Sequence, residues 1–175
     1  GACFKLAIFI TLFVQAFRLA VEPFFFSHAK DRDARQTYAA VTLYFTIAVA
    51  AMYIGVMANL SWLQLIIGEQ YRSGIDIVPI VLFANVFLGL YYNLSMWYKL
   101  TDRTRWGAYI SILGAVVTVS VIFYGVPRYG YMAAAWSHLL TYGTMMLVSY
   151  GFGQHFYPIP YRVGRIVMYL LLAWG

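Results

Sequence analysis

Long uninterrupted runs of apolar residues constrain the fold of this chain more than any other feature. The run VTLYFTIAVAAMYIGVMA, residues 41–58, contains no charged residue and shows no alternation of apolar and polar positions. A helix that crosses a bilayer needs about 20 such residues, because each adds about 1.5 Å across a hydrocarbon core of about 30 Å. The strands of an outer-membrane barrel are instead about 10 residues long and alternate in polarity. The sequence therefore predicts an all-α integral membrane protein.

The overall composition agrees with this class. Hydrophobic residues make up 63% of the 175 residues and charged residues 10%, whereas a soluble domain has about 45–50% apolar and about 25% charged residues. A chain of this length cannot hide so much apolar surface in a water-soluble core. The single cysteine, Cys3, excludes an internal disulfide and a cysteine-based metal site.

Polar breaks divide the chain into six apolar segments, which we interpret as one transmembrane helical domain over residues 1–175. The predicted helices are residues 6–26, 37–60, 77–98, 106–126, 131–152 and 163–175. Because the last run is still apolar where the sequence stops, we expect five complete spanning helices, a truncated sixth, and a longer parent protein. Residues 61–71, SWLQLIIGEQY, are too short to span and are expected to lie on the outer membrane surface.

Basic residues alternate between the connections and so predict an orientation. The connections after the first, third and fifth helices hold eight of them, and the other two hold one each, Arg72 and Arg128. The eight are Lys30, Arg32, Arg35, Lys99, Arg103, Arg105, Arg162 and Arg165. Lysine and arginine are enriched on the cytoplasmic side of membrane proteins, so the N-terminus is expected outside. This placement accounts for the net charge of +6 without a nucleic-acid partner.

The first predicted helix carries a charged pair within the membrane. Arg18 and Glu22 are four residues apart and therefore adjacent on one helix face, and Gln15 extends this polar face by a turn. Arg18 is expected about 15 Å from the cytoplasmic end, at a depth where a charge normally faces protein or a water-filled cavity. Two interpretations follow: a cavity that offers Arg18 to an anionic ligand, or a structural pair that fixes the helix against a neighbour. Pro23 is compatible with both.

Two asparagines lie on one face of the third helix. Asn85 and Asn93 are eight residues apart, with Gly89 between them and Trp97 a further turn on. Amides in a spanning helix need hydrogen-bond partners, which are either a neighbouring helix or water in a cavity. Both alternatives are compatible with the sequence.

Two other patterns concern packing and membrane depth. Small residues recur on one face of the fourth helix and are typical of close helix packing: Gly107, Ser111, Gly114 and Thr118. Tryptophans near predicted helix ends are typical of the interfacial aromatic belt: Trp62, Trp97 and Trp106.

Motifs of enzyme chemistry are weak in this sequence. The acidic pattern Asp31–Asp33 lies among basic residues, and His28, His138 and His155 lack metal-ligand spacing. No nucleophile motif or glycine-rich phosphate loop is present in the sequence. His138 lies within the fifth helix, where it either relays protons or forms an ordinary hydrogen bond inside the bundle. We therefore predict binding and movement of a ligand, with no catalytic residues, metal or cofactor.

Two stretches of the chain carry a resemblance to a known family. The stretch FRLAVEPFFF followed by a basic connection, and the stretch GVPRYGYMAAAWSHLLTY, resemble the polysaccharide flippases of the multidrug/oligosaccharidyl-lipid/polysaccharide exporter superfamily. The likeness extends over the whole chain, as part of the C-terminal half of such a protein.

The resemblance implies a MATE-like fold of two helical lobes around a cavity that opens alternately to each side of a bacterial inner membrane. The implied cargo is a polyprenyl-diphosphate-linked oligosaccharide for lipopolysaccharide, O-antigen or capsule biosynthesis. This chain would belong to the C-terminal lobe and meet an N-terminal lobe of the same protein. Gln15, Arg18, Glu22, Asn85 and Asn93 would then be the candidates for the cavity wall.

Two other function classes remain open. One is a cation-coupled multidrug antiporter of the same superfamily, with Glu22 or His138 as the coupling residue. The other is a membrane-embedded polysaccharide polymerase or transferase, which would need a large outer loop with catalytic residues. The longest outer connection, residues 61–76, offers only Glu69, Arg72 and Asp76.

Overall fold

The computed structural model describes residues 2–61 and 74–175, and helices occupy most of them. They are α1 (Ala2–Ser27), α2 (Ala34–Ala58), α3 (Val78–Leu94), α4 (Met96–Leu100), α5 (Arg105–Tyr129), α6 (Tyr131–Phe156) and α7 (Val163–Trp174). No strand occurs within these two ranges, so the predicted all-α class is confirmed. The predicted surface stretch after Ser61, with Trp62 and Glu69, lies outside the described residues, as does Arg72.

The number of spanning helices is slightly lower than predicted. Among the residues that the structure describes, four helical stretches are long and apolar enough to cross a membrane: Ile10–Ser27, Ala34–Ala58, Gly74–Leu100 and Arg105–Tyr129. The fifth predicted segment forms α6, which has 26 residues but contains several polar residues and is not among the four. The sixth forms α7, an apolar helix of 12 residues. The chain is thus a multi-pass membrane protein by the length and composition of its helices.

Helix α3 is the centre of the bundle. It packs against α1, α2 and α6, while α5 packs on α6 and α7 packs on α2. Most of its residues are buried, because its sequence is apolar almost all the way round and no face has to meet water or lipid. In contrast, Ile110 and Gly114 are the buried residues of α5, so most of the surface of α5 faces outward.

The contact between α5 and α6, which we call the α5–α6 seam, confirms Gly114 and Thr118 of the predicted small-residue face, whereas Gly107 lies against Tyr98 of α4 and Ser111 is exposed. A side chain at Gly114 would approach the Sδ atom of Met145 to 2.6 Å, so any larger residue would require the side chain of Met145 to shift. The hydroxyls of Thr118 and Thr141 share a hydrogen bond of 2.7 Å across the same seam. Small residues and such hydrogen bonds are how helices adhere in lipid, where hydrophobic burial supplies little driving force.

Trp97 departs from the sequence expectation. It was predicted in the interfacial belt, but only 1% of its surface is exposed. Its indole Nε1 donates a hydrogen bond of 3.3 Å to Ser149 Oγ, and its ring stacks on Phe156 at 5.5 Å. The reason is that the short helix α4 turns this ring inward, against a face of α6 cleared by Gly153.

The three connections with most basic residues meet at one end of the bundle, which we call the basic end. The guanidinium of Arg35, in the first turn of α2, lies 4.6 Å from the ring centre of Tyr157, which brings the start of α2 to the α6–α7 connection. The guanidinium of Arg103 lies 4.5 Å from the ring centre of Phe156, which brings the α4–α5 connection to the same place. The alternation of charge along the sequence therefore corresponds to a real end of the molecule.

Two glycines of α6 provide a direct test of the Trp97 packing. A side chain at Gly153 would lie 2.8 Å from the indole Cδ1 of Trp97, whereas a side chain at Gly151 would meet nothing within 4 Å. We expect Gly153→Ala to lower the free energy of unfolding by about 1–3 kcal/mol through overpacking. Gly151→Ala, the matched control, should be neutral or stabilising by up to about 1 kcal/mol because alanine favours the helix. Thermal unfolding of the purified protein in detergent measures both, and equal effects would contradict the packing.

Candidate functional site

The predicted pair on α1 is present and has a third member. Arg18 Nε donates a hydrogen bond of 3.0 Å to Glu22 Oε1, and Lys99 Nζ donates to the same oxygen. The guanidinium of Arg18 also lies over the ring of Tyr92, 4.6 Å from its centre. We call Arg18, Glu22 and Lys99 the charged triad.

Three helices position the charged triad. Arg18 and Glu22 are one turn apart on α1, so their side chains lie over each other. Tyr92 belongs to α3, and Lys99 to α4, which continues from α3 after a turn at Ser95. Since α1 packs against both α3 and α4, the two faces meet along their length.

Lys99 is the member of the charged triad that the sequence interpretation missed, since it was assigned to a basic connection. The signal that could have found it is its spacing. It follows Tyr92 by seven residues, which is two turns, so both side chains share one face of a helix that continues past Ser95. A charge just beyond the end of a predicted helix can therefore share a face with residues inside that helix.

The triad carries an excess of positive charge. Two cations share one carboxylate, so the group has one net positive charge when all three residues are ionised. The side chains of Arg18, Glu22 and Lys99 are 38%, 29% and 23% exposed, respectively, so the group opens onto the surface of this bundle. Ionised groups at this depth are stable only against protein or water. This face of α1 and α4 is therefore unsuited to contact with hydrocarbon.

The triad lies close to the basic end. Glu22 is five residues from Ser27, the last residue of α1, which corresponds to about 7.5 Å along the helix axis. Arg18 is nine residues from the same end, at about 14 Å, and is the deepest of the three charges. The charges therefore extend from the surface of the membrane towards its middle.

The two asparagines bond to their own helix. Asn85 Nδ2 donates to Val81 O at 3.1 Å, and Asn93 Nδ2 donates to Gly89 O at 3.1 Å. Asn93 is only 2% exposed, and its Oδ1 is a buried atom without a hydrogen-bond partner in the described part of the chain. Such an unpaired acceptor costs about 1–3 kcal/mol. Asn93 therefore lies in the core, and Asn85 is half-buried.

The remaining candidates are separate from the triad's hydrogen bonds. Gln15 is half-buried on α1, one turn before Arg18. His138 belongs to α6, where its Nδ1 lies 2.8 Å from Ala134 O and its ring centre is 6.0 Å from that of Tyr142. Within residues 2–61 and 74–175, no group of three or more His, Cys, Asp or Glu residues could hold a metal ion.

Comparison of the chain with known proteins adds no assignment. Models of protein families, curated proteins and solved structures all give no match. The charged triad and the sequence resemblance are therefore the basis for a functional proposal.

Neutralising the shared carboxylate tests the triad. Glu22→Gln leaves two cations without a counter-charge, whereas Lys99→Gln leaves the neutral pair of Arg18 and Glu22. We expect Glu22→Gln to reduce stability more than Lys99→Gln, and a double-mutant cycle to give a coupling of about 1–2 kcal/mol between Glu22 and Lys99. Denaturation of the purified protein in mixed detergent measures these values. A coupling near zero would show that Lys99 does not bind Glu22.

Proposed function

We propose that this chain is part of a flippase that moves a polyprenyl-diphosphate-linked oligosaccharide across a bacterial inner membrane by alternating access. The observation that supports the proposal best is the charged triad: an excess of cationic groups on a partly exposed face of an otherwise apolar bundle. The sequence resemblance to polysaccharide flippases points to the same cargo.

The physics of the cargo explains why such a group would be needed. A diphosphate cannot cross about 30 Å of hydrocarbon alone, because it would lose its hydration. A guanidinium offers a fixed fork of donors that matches phosphate oxygens, and an ammonium adds a compact second charge. Glu22 by itself would cancel the charge of Arg18, and Lys99 restores one net positive charge to the group.

The open face of the triad also supports a partner on that side. Arg18, the deepest charge, is the most exposed of the three. Under this proposal the N-terminal lobe of the same protein covers this face, and the cavity lies between the two lobes. Water in that cavity hydrates the triad when no cargo is bound.

The geometry favours a flippase over the cation-coupled antiporter. A coupling carboxylate has to bind and release its ion, but Glu22 Oε1 already accepts two cationic side chains. His138 Nδ1 lies against a carbonyl of its own helix, and the triad is on other helices. Neither residue therefore presents a free coupling site in the described structure.

We also propose that the basic end faces the cytoplasm, so that a lipid-linked sugar meets the triad from the inner leaflet. Single cysteines at Arg32, on the basic end, and at Arg128, at the far end of α5, test this orientation in a Cys3→Ser background. Both native side chains are exposed. An impermeant thiol reagent added to intact inner-membrane vesicles of known sidedness should label only one of them. Labelling of both from the same side would contradict the topology.

The function itself is tested in cells that depend on the full-length protein. Arg18→Gln and Lys99→Gln should each reduce surface polysaccharide about tenfold or more at unchanged protein level, because each removes a charge-assisted contact to the diphosphate. Arg128→Gln, an exposed arginine at the other end, is the matched control and should have no effect.

The double variant Arg18→Gln/Glu22→Gln separates function from structure. If Arg18 binds cargo, removal of both charges does not restore export. Full recovery of protein and export in the double variant would show instead that the pair only stabilises the helix, and the flippase proposal would lose its main support.

A further inference from the structure

A pocket lies between α2 and the α6–α7 connection at the basic end. It is a pocket of about 340 Å³ with both polar and apolar lining. Arg162 and Gln36 supply its polar groups, and Ala40, Leu43 and Tyr44 form part of its apolar wall.

The pocket is held in place by the packing of the connection. Ile159 is buried in a cluster with Phe25 and Tyr38, and its carbonyl accepts a hydrogen bond of 2.8 Å from Gln154 Nε2. Three residues later, Arg162 caps the N-terminus of α7, which packs on α2. The backbone that carries Arg162 is therefore fixed, although its side chain is exposed.

Within residues 2–61 and 74–175, Arg162 and Arg165 lack the contacts that Arg18, Arg35 and Arg103 make, and of the two only Arg162 lines the pocket. Arg35 and Arg103 each lie over an aromatic ring, and Arg18 is paired with Glu22. Across the described residues, no carboxylate forms an ion pair with Arg162 and no ring lies beneath it. Its guanidinium fork is thus available to an anion at the level of the membrane surface.

An apolar track leads from this pocket along α2. Ala40, Tyr44, Ile47, Ala51 and Ile54 follow each other at spacings of four, three, four and three and are all exposed. This spacing places them on one face of the helix. The pocket therefore combines a cationic group at the membrane surface with an apolar strip that continues into the hydrocarbon.

We propose that this pocket binds an anionic glycerophospholipid, with the lipid phosphate on Arg162 and Gln36 and an acyl chain along the apolar track of α2. Basic pockets between spanning helices recognise anionic headgroups by this combination of charge and apolar contact. Arginine is suited to the contact because its fork binds two phosphate oxygens at once. The site is independent of the proposed flippase activity, since it lies on α2 rather than at the charged triad.

The test measures lipid retention by the purified full-length protein with native mass spectrometry, using dioleoyl phosphatidylglycerol and dioleoyl phosphatidylcholine. We expect the wild type to retain phosphatidylglycerol in preference to phosphatidylcholine. Arg162→Gln should weaken phosphatidylglycerol binding about tenfold, as expected for loss of a charge-assisted contact. Arg165→Gln, which removes an exposed arginine of the same helix outside the pocket, should leave it unchanged.

A second variant tests the pocket without changing charge. Ala40→Phe fills its apolar wall and should also weaken phosphatidylglycerol binding, while circular dichroism and gel filtration report whether each variant is folded. Inorganic phosphate at equal concentration should not compete, because the apolar track requires an acyl chain. Equal loss with Arg162→Gln and Arg165→Gln, full retention with Arg162→Gln, or competition by inorganic phosphate would overturn the proposal.

Discussion

A carboxylate near hydrocarbon is stable only with cations around it, and the way Glu22 meets this requirement determines how the helices are arranged. Arg18 supplies one cation from the same helix, which alone would leave α1 free to face any neighbour. Lys99 supplies the second from α4, and this contact ties α1 to the α3–α4 unit. Because α3 is the centre of the bundle, the position of the charged triad is tied to the whole core.

The other polar groups of the spanning helices are used differently. Asn85, Asn93 and His138 lie in hydrogen-bond distance of carbonyls of their own helices, and Thr42 and Thr46 bond to carbonyls one turn back. These contacts use carbonyls of the same helix, so they need no partner on another helix or in a ligand. Polar contacts between helices are made by other groups, among them Thr118 with Thr141, Trp97 with Ser149, and Lys99 with Glu22. Under the two proposals, anionic groups are bound by the triad and by Arg162 of the α6–α7 connection.

The sequence predicted the helices well because hydropathy and polar breaks depend only on residues that are neighbours along the chain. The predicted ranges differ from α1, α2, α5 and α6 by a few residues at each end, and the glycine of the α5–α6 seam was identified from spacing alone. The pair of Arg18 and Glu22 was also predictable, since both residues lie on one helix. The contacts of Lys99 and Trp97 and the unpaired Oδ1 of Asn93 were not predictable. Each depends on which helix lies opposite. Periodicity gives a face of a helix but does not identify its neighbour.

The contacts between α1 and the α3–α4 unit occur at two levels along the membrane normal. Arg18 lies on Tyr92, and one turn further Glu22 meets Lys99. The second contact lies further toward the basic end on both helices, so the two contacts together fix the position of α1 along the α3–α4 unit. A slide of α1 along α3 by one turn would break both contacts together, leaving Lys99 without its carboxylate and Arg18 without its ring, while the pair of Arg18 and Glu22 within α1 would move intact. The motion that costs the least free energy keeps both contacts, so α1, α3 and α4 are expected to tilt as one rigid body.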